Sequence, residues 1–218
     1  MIKNKTFLYL FIIFFFASIA LNIPFPNKTL YRETVILLNI PIKTLNGLNY
    51  VGITSFLLLI ASLYFLVKSL NKYYVRFVVI TIIVASFLPS IVINLYQKTF
   101  ATGIYSISYK DSESRCNFDM INEETLHGEC DLPLKNYSKN DVQFSIEFYE
   151  SSPSKYGPKV SLMNKKGPYK VRLKGKESKV VQIEADIDVS KIKKHSDGGA
   201  MTGSVPIIIR SGEKSRKL

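Results

Sequence analysis

Cys116 and Cys130 are the only cysteines in 218 residues, and His127 lies between them. Such a trio admits three chemistries: a disulfide, a metal site or two free thiols. Structural zinc normally takes four ligands, and His127 is the one plausible local addition, so metal is the least supported. Disulfide against free thiols depends on compartment, because disulfides persist in oxidising surroundings and not in the cytosol. The local pattern speaks to geometry. Cys116, Phe118 and Met120 alternate on one face of an extended segment, and Leu126, Cys130, Leu132 and Leu134 share a face of the next. A hairpin about Glu123 pairs 120 with 126 and therefore 116 with 130. The cysteines become cross-strand neighbours, within the Cα separation of about 5.5 Å that a disulfide favours.

Other chemistry-bearing groups are less well placed. Ser152-Pro153-Ser154-Lys155 and Ser211-Gly212-Glu213-Lys214 both match Ser-x-x-Lys, an acyl-transfer motif that needs a helix to set Lys beside Ser and further partner motifs. Both lie in turn-forming or tail sequence. His195-Ser196-Asp197 holds the residue types of a triad, yet adjacent residues cannot converge as a triad does from separate elements. Neither a Gly-rich phosphate loop nor a metal-spaced cluster is present. The expectation is no enzyme and no cofactor.

The chain carries a formal charge of +12, unevenly spread. From Asp111 to Glu150 there are ten acids against three bases, while from Lys155 to Lys179 there are nine bases against Glu177 alone. Lys165, Lys166, Lys170, Arg172, Lys174, Lys176 and Lys179 therefore form a candidate surface for anionic lipid headgroups, an anionic cell-surface polymer or an acidic envelope protein. The competing reading is a set of ordinary solvent-facing strand positions, neutralised by the acidic half.

Compartment is set by the elements upstream. Thr6 to Ile23, Leu48 to Val67 and Phe77 to Tyr96 contain no Asp, Glu, Lys, Arg or His. Helices of about 20 residues match a hydrocarbon core about 30 Å thick, and a soluble core helix would show a polar stripe. Three transmembrane helices are expected, at about 6–23, 48–67 and 77–96, in a membrane domain 1–97. Ser18-Ile19-Ala20 also resembles a signal cleavage pattern; a cut after Ala20 would leave two helices. Lys3 and Lys5, with Lys68, Lys72 and Arg76, mark the cytoplasmic ends, whereas Lys28, Arg32 and Lys43 are spread more thinly over a longer loop and offset by Glu33. The N-terminus is placed inside and residues 98–218 outside, where a disulfide forms and nucleic acid is not an expected partner. No ionisable residue marks an ion path through the spans. Gly52, Ser55 and Ser62 suit close helix approach, Pro89 predicts a kink, with Ser86 or Ser90 near the freed carbonyl, the Pro24-Phe25-Pro26 turn suits a helix leaving the bilayer, and Tyr31 to Ile42, too short to span, reads as a segment that lies along the outer surface or packs under the exported domain.

The exported part repeats one pattern. Val142, Phe144, Ile146 and Phe148 alternate with polar residues, as do Tyr105 to Tyr109, Tyr169 to Leu173 and Val181 to Ile187, which is the period of strands with one buried face. With Lys159 to Met163 and Val205 to Arg210, seven or eight short strands are expected, separated by turns at 136–140, 151–158, 174–176 and 197–199. That spacing predicts a β-sandwich. CDLPLKNYSKNDVQFSIEFYE, followed by YKVRLKGKESKVVQIEADI, resembles the bacterial extracellular immunoglobulin-like and fibronectin type III-like modules over residues 101–211. The chain has no Trp, so the Cys, Trp, Cys core of antibody domains is absent. The resemblance implies a domain that binds or spaces rather than catalyses. Two functions follow: a membrane-tethered, non-enzymatic interaction module, or an accessory subunit of a transport or signalling complex in which the helices make the key contacts.

Overall fold

The computed structural model describes residues 2–23, 25, 35–38, 40–44, 47–150, 159–190 and 198–218. The chain falls into two compact units, the first comprising Met1–Phe25 and Tyr31–Leu95 and the second including Tyr96–Leu218.

Helix α1 covers Lys5–Leu21, and Asn4 caps its start by accepting from Thr6 N at 2.9 Å. Strands β1 (Val35–Leu37), β2 (Ile40–Thr44) and β3 (Gly47–Leu48) form a small antiparallel sheet, to which the described part of the segment 31–42 contributes β1 and the start of β2. Helices α2 (Tyr50–Ser69) and α3 (Tyr74–Thr99) follow, and these two are long and apolar enough to cross a membrane. The expectation of three is met only in part. Helix α1 is apolar but has 17 residues, about 26 Å of helix. Pro89 lies inside α3, where Ser86 Oγ donates to Ile82 O at 3.0 Å.

Helix α2 buries Gly52, Ser55, Leu59, Ser62, Leu66 and Ser69, a three-four repeat that keeps small residues on one face. Ser55 of that face meets α1: Ser18 Oγ donates to Ser55 O at 2.7 Å and Ser55 Oγ to Ser18 O at 3.0 Å. Gly52 has a different task. A Cβ there would lie 1.9 Å from Pro41 O, so its missing side chain admits β2 rather than another helix. Near the other end of α2, Lys3 N donates to Ser69 O at 2.7 Å and Ile2 bridges to Leu70.

In the second unit the described strands are β4 (Ile107–Tyr109), β5 (Arg115–Asn122), β6 (Thr125–Asn136), β7 (Val142–Phe148), β8 (Tyr169–Leu173), β9 (Ser178–Asp188), β10 (Gly198–Thr202), β11 (Ile207–Ser211) and β12 (Lys214–Lys217). One antiparallel sheet is built around β6, which pairs with β9 along one edge and with β5 and then β4 along the other, β10 lying outside β5. The other runs β12-β11-β7-β8. Phe118, Leu126, Leu132, Ile183 and Ile187 of the first sheet share one buried cluster with Phe144, Ile146, Leu173, Ile207 and Ile209 of the second. The alternation read in the sequence is the alternation of this core.

Four local expectations are corrected. Val160–Lys165 is a 3-10 helix, not a strand; its Val160 and Met163, three apart, both point into the core, a spacing that a 3-10 turn satisfies and a strand does not. Tyr105 belongs to the 3-10 turn Gly103–Ser106 that precedes β4. Gly198 and Gly199 lie in β10 rather than in a turn, both at positive φ, where glycine meets no Cβ penalty. Lys214 begins β12, so the chain there is strand and not turn or tail sequence. The proposed turns at 24–26 and 151–158 lie outside the described residues apart from Phe25, as does Asp197.

Candidate functional site

The hairpin of β5 and β6 has the register that the sequence implied. Cys116 lies opposite Cys130 and Met120 opposite Leu126. The cysteines are bonded, with S–S 1.99 Å and Cα–Cα 4.1 Å, and both are fully buried in the core. This disulfide is structural in position, since no solvent reaches it.

His127 sits on the opposite, outward face. Its Nδ1 lies 2.6 Å from Asp186 Oδ1 on the facing strand β9, and the hydrogen bond to Asp186 raises the imidazole pKa above 6.5, reinforced by Glu184 and Glu129. Asp119 completes that row across β5, while Asn117, Glu129 and Glu184 make the next. The outer face of this sheet is therefore acidic. Among the described residues no group of three His, Cys, Asp or Glu is placed to hold a metal. Ser211-Gly212-Glu213-Lys214 is the turn of the β11–β12 hairpin, with Ser211 paired to Lys214, and has no helix to align Lys with Ser. Ser152 to Lys155 and His195 to Asp197 lie outside the described residues.

The second sheet presents the opposite charge. Ser145 at the centre of β7 is flanked by Lys170 on β8 and Arg210 on β11, and Gln143 by Arg172. Alternation turns all of these outward, because Phe144, Ile146, Leu173 and Ile209 between them fill the core. The result is an open groove of about 520 Å³ lined by Gln143, Ser145, Lys170, Arg172, Arg210, Ser211 and Gly212. Three cationic side chains from two strands, β8 and β11, surround hydroxyl and amide groups. Two are partly occupied: Arg172 Nη2 is 2.8 Å from Asp141 Oδ2, and Arg210 Nε is 3.1 Å from Glu147. Asp141 has its pKa lowered by the Arg172 hydrogen bond, with Gly175 N adding a second. Such a groove suits an extended anion carrying hydroxyl or phosphodiester oxygens.

The seven basic residues singled out in the sequence are divided by the fold. Lys170 and Arg172 line the groove. Lys174 and Lys176 are on the β8–β9 turn, where Lys176 adopts φ 64° and donates to Tyr137 O. Lys179 is exposed on β9. Lys165 and Lys166 lie beyond the far end of β9, Lys165 donating to Asp188 O, and ten residues of strand separate Asp188 from Ser178, about 33 Å. Arg210, Ser145 and Gln143 were missed. Their alternation marked them as outward-facing, but only the β8-β7-β11 register joins them to Lys170.

Beyond the groove, buried polar groups fix one end of the second unit. Gln97 Nε2 donates to Tyr105 O at 3.3 Å, and Arg216 Nη1 to Ile107 O at 2.7 Å. Burial pushes the Arg216 guanidinium down to about 10, still cationic at neutral pH. Comparison with known protein families, with curated proteins and with solved structures gives no match.

Proposed function

We propose that the chain is a multi-pass membrane protein whose exported β domain is a non-enzymatic binding module, and that the groove between Lys170 and Arg210 takes an anionic cell-surface polymer. The groove itself carries this reading: Lys170 of β8 and Arg210 of β11 flank Ser145 from its two sides, and Arg172 of β8 stands beside Gln143. Sidedness has support from the first unit. Ile2 and Lys3 contact Leu70 and Ser69, which gathers Lys3, Lys5, Lys68 and Lys72 near one end of the helices, as retention of basic residues on the cytoplasmic side requires. The disulfide fits an oxidising compartment.

Strand order supports the module reading. Lettered along the chain with β4 and β10 left aside, β5, β6 and β9 are A, B and E, and β7, β8, β11 and β12 are C, C′, F and G. An A-B-E layer facing G-F-C-C′ is the division expected of the immunoglobulin and fibronectin type III group. Helix α1 is counted as a third span, short but within the accepted range of about 17–25 residues. The alternative, an accessory subunit that works through its helices, draws on the exposed apolar face of α3, where Val79, Ile83, Phe87 and Ile91 all lie uncovered.

Binding of soluble poly(glycerol phosphate) to the full chain in neutral detergent tests the groove. Lys170→Gln with Arg210→Gln removes two charge-assisted contacts worth about 1.5–3 kcal/mol each, so affinity should fall by at least about tenfold. Unchanged binding, or none by the unaltered chain at low salt, removes the polymer assignment; a stoichiometric integral-membrane partner on gentle solubilisation favours the alternative.

A further inference from the structure

The last turn of α3 stands beside a second cationic cleft, on the five-stranded sheet. Lys98 Nζ lies 5.8 Å from the Tyr137 ring centroid and Lys135 Nζ 5.1 Å from it, so two cations share one ring. Lys135 also lines, with Lys110, Pro133, Lys179 and Val180, a cleft of about 150 Å³. Register explains the convergence. Lys135 is opposite Ser178 and Pro133 opposite Val180, while Lys110 N donates to Pro133 O at 3.1 Å. Glu113, also at the cleft, is paired with Lys110 at 3.0 Å, which leaves the lysines in excess. An apolar group is exposed in the cleft wall itself: Val180 is 51% exposed.

We propose that this cleft binds the phosphate of an anionic phospholipid at the membrane surface from which α3 emerges. The proposal rests on the reading of α3 as a membrane span. Helix α3 has 26 residues, about 39 Å, against a hydrocarbon core of about 30 Å. Its final turn, with Tyr96 and Lys98, thus belongs at headgroup level, where aromatic and basic side chains are at home. A polymer would not explain the exposed Val180 in the cleft wall; a lipid does, since its phosphate answers the lysines and its glycerol and upper acyl chain answer the valine. The cleft is small, as one headgroup phosphate requires.

Native mass spectrometry of the full chain, released from vesicles of equal phosphatidylglycerol and phosphatidylcholine, provides the test. The unaltered protein should retain phosphatidylglycerol preferentially. Replacing Lys110, Lys135 and Lys179 by Gln should lower that retention about fivefold per lysine, while the Lys170→Gln/Arg210→Gln protein keeps it, and unchanged mobility on a non-reducing gel with an unchanged melting curve shows each variant folded. Equal retention of the two lipids, or full retention by the triple variant, overturns the proposal. So does poly(glycerol phosphate) binding that is lost in the triple variant while lipid retention stays, which would assign the cleft to a polymer. Extraction of the chain from membranes by alkaline carbonate would instead refute the membrane span itself, and so is distinguishable from failure of the cleft.

Discussion

Asn136 ties three segments together from the end of β6. Fully buried, it donates through Nδ2 to Asn140 O at 2.9 Å and Lys174 O at 3.0 Å, and accepts through Oδ1 from Ser138 N at 2.9 Å and Ser106 Oγ at 3.1 Å. The sequence marked it as turn-forming, yet nothing local could reveal that its partners lie as far off as residues 106 and 174. Asn136→Ala strands several buried polar groups and should cost about 3 kcal/mol in chemical denaturation of the domain. The disulfide was legible because both cysteines sit on one hairpin, where alternation alone fixes register; Cys116→Ala with Cys130→Ala should lower stability by about 3 kcal/mol on the chain-entropy account, measured the same way. For His127 the folded pKa is raised, so the Asp186 pair stabilises the fold fully below pH 6.5 and ceases to as pH rises through the folded value. The pair is solvent-exposed, hence worth less than about 1 kcal/mol. An NMR titration should find the His127 midpoint above 6.5 and returned towards it by Asp186→Asn.

At the level of strands and helices, what the sequence disclosed was periodicity, and what it concealed was long-range pairing. Strands β7 and β9 announced themselves by alternation. Strand β10 did not, because Gly-Gly-Ala-Met-Thr has no apolar alternation and gains its place from β5 alone, and β12, Lys-Ser-Arg-Lys, buries only Arg216 among its four residues. The 3-10 helix Val160–Lys165 offered an apolar pair that alternation misread. Glycine was equally ambiguous. In Gly128 a Cβ would lie 2.6 Å from Met163 Sδ and 3.0 Å from Phe118, so Gly128→Ala should overpack the core at a cost of about 1–3 kcal/mol, visible as a lowered denaturation midpoint. Gly52→Ala should lower the melting temperature of the detergent-solubilised chain by forcing Pro41 O away, and Ser62→Ala, which loses only a bond within its own helix at 2.7 Å to Leu59 O, should leave it nearly unchanged.

Across the whole chain the most consequential proposal is sidedness. On intact cells, a membrane-impermeant thiol reagent should label Lys139→Cys and spare Lys72→Cys; the reverse pattern inverts the topology and removes the basis for an exported disulfide. The two sheets add a property that neither has alone. One outer face carries Asp119, Glu129, Glu184 and Asp186, the other Lys170, Arg172 and Arg210 against Asp141 and Glu147, so the first face is the more negative and the β domain has an electric moment running through its thickness. Crowded copies then attract plus side to minus side, and the contact regenerates itself at each new end without closing. Light scattering should detect open-ended association at low ionic strength that disappears near physiological salt, where the Debye length shrinks to about 8 Å.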